Sequence, residues 1–239
     1  MSFKKAVIAA ATAALGMGAL IAAPAAQAQE QFVPLLVYRT GQFAPLGIPW
    51  ADGKQDYLKL VNAKGGVNGV KIKFEECETA YDTAKGVECY ERLKGRAGGT
   101  ASFDTQSTGI TFAVSDKAPG DKATIVTAGY GLSQSADGRV FEWNFPLLGT
   151  YWTGADSMIQ DILKKEKGSL KGKKIALVYH DSPYGKEPIP LLEKRAAKEG
   201  FELLKLPVTA PGVEQKSTWL QVRQQRPDYV LLWSAGVMT

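Results

Sequence analysis

Short apolar runs alternate with amphipathic stretches from residue 33 to residue 233, and this alternation limits the fold more than any other feature. Residues 33–38 (VPLLVY) read as a buried strand, followed by a loop rich in Gly and Pro. A helix is expected from about Trp50 to Lys64, stopped by Gly65-Gly66. In 70–75, Val70, Ile72 and Phe74 alternate with Lys71 and Lys73, as in a half-buried strand. Asp82 is placed to cap a helix that runs to about Lys94. A short strand near 99–103, a helix near 106–117 and strands at 123–127 and 140–144 complete the unit. Strands joined by helices imply an α/β fold with a parallel sheet flanked by helices on both faces.

At 145–150 (FPLLGT) the pattern breaks, and then it restarts. Thr150 caps a helix whose Trp152, Ala155, Met158, Ile159, Ile162 and Leu163 recur at spacings of three and four. The strand 173–180 is continuously apolar through its middle, as fully buried parallel strands are. A helix at 188–199 ends on Gly200, and strand 201–208, helix 217–225 and strand 228–233 follow. The expected organisation is a first α/β lobe at 29–145, a hinge segment at 146–150 and a second α/β lobe at 151–239. Thr239 comes directly after an apolar strand that a helix should cover, so the second lobe reads as incomplete and the chain as truncated.

The first residues have a different character. Lys4 and Lys5 precede a run of small and apolar residues from Ala6 to Ala23, broken by Pro24. Ala26-Gln27-Ala28 then supplies the small-x-small pattern of a signal peptidase site, so 1–28 is expected to be a cleavable signal peptide. A retained membrane span is the competing reading, but the run is rich in Ala and Gly and no cationic stop-transfer segment follows. Without Lys4 and Lys5, the 29 basic residues become 27 against 24 acidic ones, a net of +3. No cluster of Lys or Arg forms a nucleic-acid footprint, because Glu166, Gly168 and Gly172 interrupt the lysines between 164 and 174. Cys77 and Cys89, 12 positions apart in an exported chain, are expected to form a disulfide, and two cysteines alone make a poor zinc site.

No catalytic constellation can be assembled. The one histidine, His180, has no GxSxG elbow to serve, and HExxH and GxxxxGK[ST] are absent. Gly129-Tyr130-Gly131 lacks the third glycine of a dinucleotide loop, and Glu75-Glu76 reads as a solvated strand end. The chain is therefore expected not to be an enzyme and to need neither metal nor cofactor. Open parallel sheets bind ligands beyond the carboxyl ends of their strands. Those ends are 40–50, 103–109, 127–133, 180–187 and 233–236, each rich in Gly, Ser, Thr or aromatic residues. FDTQSTG (103–109) also opens a helix, whose free N–H groups favour an anion.

At these segments the chain resembles the leucine/isoleucine/valine-binding type of periplasmic protein, the type I fold, over nearly all of 31–239. TGQFAPLG, DYLKLVNAKGGVNGVKI, FDTQSTG, TIVTAGYGLS and KKIALVYHDSPYGKE occur in the order that resemblance requires. It implies two hinged lobes closing on a small-molecule solute, a periplasmic monomer, and docking to the membrane permease subunits of an ABC importer. It implies three crossovers between lobes, of which one is present here. By position, Thr105 resembles the hydroxyl that holds a ligand carboxylate, Gly129 and Gly131 the loop whose backbone meets the ligand, and Tyr184 the closing aromatic. Asp104 adds a negative charge beside that carboxylate, and Tyr130 adds bulk where relatives are often small. Thr105 and Asp104 also suit a helix cap, Tyr184 suits packing on its own lobe, and Leu46 and Trp50 suit rim packing. The implied solute is a branched-chain or related amino acid, with an aromatic acid, an amide or a receptor's sensing role as alternatives.

Overall fold

The computed structural model describes residues 30–239, and the expected signal peptide at 1–28 lies outside the described residues. The first lobe contains β1 (Glu30–Val37), α1 (Ala44–Ala63), β2 (Lys71–Glu78), α2 (Thr83–Leu93), β3 (Ser102–Phe103), α3 (Thr108–Ser115), α4 (Ala118–Asp121), β4 (Thr124–Thr127) and β5 (Asn144–Pro146). The second contains α5 (Tyr151–Lys165), β6 (Lys174–Asp181), α6 (Pro183–Lys186), α7 (Ile189–Glu199), β7 (Glu202–Thr209), α8 (Lys216–Gln225) and β8 (Tyr229–Trp233).

All strand pairs are parallel. β1 pairs with β2 along its length, β3, β4 and β5 pair in sequence, and a bridge between Leu35 and Asp104 joins the two groups. The first sheet thus has the order β2-β1-β3-β4-β5, and the second has the order β7-β6-β8. Period-two alternation explains why β1 and β6 lie centrally. Phe32 and Leu36 face α2 and α3, whereas Leu35 and Val37 face α1. In β6, Ile175, Leu177 and Tyr179 face α5 and α7, whereas Ala176 and Val178 face α8. Both faces of each central strand are buried, as the continuous apolar runs require.

Three expectations change. α1 starts at Ala44, six residues before Trp50, because Pro45 sits in its first turn, where a missing N–H breaks no helical bond. β2 runs on to Glu78, so Glu75 and Glu76 lie mid-strand on the sheet edge and not at a solvated end. Arg39 grips Glu76 with two bonds of 2.8 and 2.7 Å and Arg96 reaches Glu75 at 2.9 Å, charges that suit an edge strand. The last strand of the first lobe is Asn144–Pro146 and not 140–144, so it overlaps the expected linker. The N–H groups of Val140 and Phe141 both turn back to Asp137, while the buried Asn144 donates to Ser115 at 2.8 Å. Cys77 and Cys89 are disulfide-bonded with Cα atoms 5.8 Å apart, which ties β2 to α2.

Candidate functional site

Each sheet is wound in both directions from its first strand, β1 or β6. A crevice opens where neighbouring connections depart to opposite sides, between β1 and β3 and between β6 and β8. The two crevices face each other across a chamber of about 180 Å³. Its wall comprises Tyr38, Phe43, Leu46, Tyr81 and Tyr130 from the first lobe and Tyr151, His180, Ser182, Tyr184 and Ala235 from the second. No Asp, Glu, Lys or Arg contributes to that wall.

Local backbone geometry delivers these side chains. Tyr38 directly follows β1, and Gly47 lets α1 close on it, since a Cβ there would sit 2.0 Å from the Tyr38 carbonyl oxygen. Tyr81 follows β2 in a left-handed turn with Ala80 (φ +61° and +51°), a conformation that costs energy for an aromatic residue. It packs edge-on against Tyr38 at 5.1 Å and Phe43 at 4.7 Å. The hydroxyls of Tyr38 and Tyr130 bond across the floor at 2.9 Å. In the second lobe, Tyr151 opens α5 and packs with Tyr184 at 5.2 Å and Trp233 at 5.8 Å. The Tyr184 hydroxyl donates to the Ser234 carbonyl at 2.9 Å. Gly185 explains the YG of this segment: a Cβ would lie 1.6 Å from the His180 carbonyl oxygen, so only glycine lets α6 fold back on β6.

Burial pushes the phenols of Tyr81 and Tyr184 up to about 12 and raises those of Tyr38, Tyr130 and Tyr151 as well. The chamber therefore presents neutral hydroxyls and ring faces. Burial lowers the His180 imidazole below its ordinary value, which also keeps it neutral. The lobes touch beside the chamber, where Tyr151 and Thr108 hydroxyls meet at 3.4 Å and Ser133 N–H donates to Glu187 at 3.2 Å.

Tyr130, Tyr184 and Leu46 come together in the wall. Thr105 does not border it: its hydroxyl is buried and bonds to Thr111, and α3 starts later, at Thr108, with Ser107 as its cap. Asp104 is ion-paired with Lys54 and borders a separate groove with Val33, Tyr57 and Val126. Gly131 turns its carbonyl to the Thr127 hydroxyl at 3.1 Å, and a Cβ on it would meet Glu187 Oε1 at 2.9 Å. The Gly131 φ of +67° is a left-handed conformation that favours glycine. Gly129 has a φ of +137° and no neighbour close to a Cβ position, and it is absent from the wall.

Tyr38, Tyr81 and Tyr151 were not singled out from sequence. Extending β2 to Glu78 brings Tyr81 under the strand-end rule, whereas Tyr38 is the last residue of the strand that the apolar run predicts. Phe43, His180, Ser182 and Ala235 fall inside the rim segments already read as candidate ligand sites. Among the described residues, no group of three or more His, Cys, Asp or Glu could hold a metal, and no helix is long and apolar enough to cross a membrane.

Two parallel α/β lobes with an aromatic chamber between their carboxyl edges define a type I solute-binding architecture. The chain belongs to the periplasmic binding protein family, whose family model matches residues 30–239. It is 28% identical over 225 residues to the Leu/Ile/Val-binding protein homolog 7 of Brucella suis, covering 91% of this chain and 55% of that relative. A solved structure from the Pseudomonas fluorescens group, described as an ABC transporter permease, is 43% identical with a TM-score of 0.74. That match covers 88% of this chain and 52% of the solved one. A solute-binding protein of R. palustris in complex with benzoate shares the fold at 19% identity and a TM-score of 0.72, over 87% of this chain and 56% of its own. The chain spans about half the length of the curated relatives it matches.

Proposed function

We propose that this chain is the extracytoplasmic solute-binding component of an ABC importer and that it binds rather than converts its solute. A small carboxylated solute with an apolar or aromatic body lies between the lobes, and permease subunits receive it. The observation that carries this reading is the chamber itself, walled by both lobes at their switch points and lined by tyrosines. Branched-chain and related amino acids fit its size, and the names of the Brucella relatives support that class. Aromatic acids and amides are a second reading, favoured because the wall is rich in aromatic rings.

A thermal-shift screen of L-leucine, L-valine, L-phenylalanine, benzoate and benzamide tests the proposal. A true solute at a hundredfold excess over its dissociation constant stabilises by about 2.7 kcal/mol and is recovered unchanged. Conversion of the solute, or no stabilisation by any of the five, overturns it.

A further inference from the structure

Among the residues of the chamber wall, His180 alone has a buried polar atom without a partner, its Nε2. The side chain is almost wholly buried, at 2% exposure. Its ring borders both the tyrosine chamber and a smaller adjoining cavity of about 140 Å³, whose wall includes Thr83, Ser107 and Gly109. Ser107 and Gly109 belong to the start of α3, so the smaller cavity meets the positive end of that helix. The other ring nitrogen, Nδ1, lies 2.9 Å from Ser182 Oγ. That oxygen also accepts the N–H of Gly185 at 3.3 Å, which leaves the serine proton free to go to Nδ1. With the serine as donor to Nδ1, we assign the neutral ring the tautomer with its proton on Nε2, a buried donor with no partner.

We infer that His180 is a specificity-determining residue of the second lobe, its Nε2–H donating to an acceptor oxygen on the solute's head group. The inference rests on the solute-binding reading of the cleft. A carboxylate at the junction of the two cavities meets this donor and the helix end, while its apolar body lies among the tyrosines. The titratable and charged groups around the ring are the chamber tyrosines, with Tyr81 and Tyr184 bordering both cavities, and Asp181, which is paired with Lys186 at 2.7 Å. Asp181 raises the imidazole's proton affinity through space, an effect second to burial, and none of these groups bonds to Nε2; a carboxylate that does so raises the affinity further, so binding takes up proton.

The chain has one histidine, so its imidazole nitrogens can be followed without assignment in protein purified without a histidine tag. Nitrogen-15 NMR of histidine-labelled protein is titrated with benzoate, L-leucine and benzamide, with calorimetry in parallel. The free protein should show the Nε2-protonated neutral ring at pH 7.5. A carboxylate that binds should shift Nε2 saturably, with the calorimetric dissociation constant. Its affinity should rise as pH falls from about 8 to 6, by no more than about tenfold per unit. Benzamide should bind without that slope. His180→Phe should weaken carboxylate binding at least roughly tenfold and flatten the slope, and His180→Gln should restore part of the affinity but not the slope. If the variants do not fold, the wild-type titration still decides. A carboxylate that binds by calorimetry while both nitrogens stay unmoved overturns the role of His180 and leaves the solute reading standing. Binding by neither carboxylate overturns this inference, and the solute reading falls with it only if none of the five compounds of the thermal-shift screen binds.

Discussion

At the residue scale, Tyr184 illustrates how one side chain can serve two ends. Its hydroxyl is fixed to Ser234 and its ring stacks on Trp233 at 6.0 Å, while another part of the ring borders the chamber. Packing on its own lobe and contact with a solute are therefore compatible, because the first orients the ring for the second. Tyr184→Ala removes a preformed wall and leaves the Ser234 carbonyl unpaired. We expect stopped-flow fluorescence to show release of a bound solute quickened at least about tenfold, with the association rate changed little. Equal slowing of association with unchanged release would place Tyr184 outside the contact surface. Thr105 carries the opposite lesson. A hydroxyl that bonds to Thr111 inside the lobe is not available to a solute, so its substitution should be felt in stability before affinity.

At the element scale, the disulfide ties the edge strand β2 to the helix that covers it. Cys77 and Cys89 are separated by 12 positions, and the link restricts the unfolded chain across that loop. The chain-entropy estimate for a loop of this size is about 3 kcal/mol. Cys77→Ser combined with Cys89→Ser should lower the unfolding free energy measured in urea by about 2–4 kcal/mol. Wild type under reducing conditions should match the double variant. Equal midpoints for oxidised and reduced wild type would show that the bond adds nothing. The same link bears on the site, because the turn after β2 holds Tyr81, and an edge strand that frays would release it.

At the scale of the whole molecule, the lobes are held by few polar contacts, and one of them is ionisable. Glu187, from the end of α6, accepts Ser133 N–H from the other lobe with one oxygen and leaves the other unpartnered. Burial raises this carboxyl above its ordinary value of 4.5, so the folded chain holds the proton more tightly than the unfolded one. Its contribution is complete below pH 4.5 and is lost as pH rises through the raised value. Glu187→Gln keeps the acceptor for Ser133 and abolishes that loss. Relative to wild type, the variant should gain stability steadily as pH climbs from 4.5 towards neutrality, read from urea midpoints. Parallel pH profiles would show that Glu187 ionises as freely when folded as when unfolded.

What the sequence determined by itself is the alternation of strands and helices, the restart near Thr150 and the set of rim segments. Each of these follows from local periodicity, capping and glycine placement, which act over a few residues. The apolar run in 173–180, the Asp82 and Thr150 caps and the stop at Gly200 were legible for that reason. Tertiary structure decided the rest. Whether Glu76 is solvated depended on Arg39 arriving from a different strand end, and whether position 131 could carry a side chain depended on Thr108 from α3 and Glu187 from the other lobe. Which of Thr105 and Tyr81 faces the cleft was settled by a cap at Ser107 and by a left-handed turn after an edge strand. A strand-end rule says where a site lies, but side-chain direction there is set by packing between elements far apart in sequence, and no local pattern encodes that.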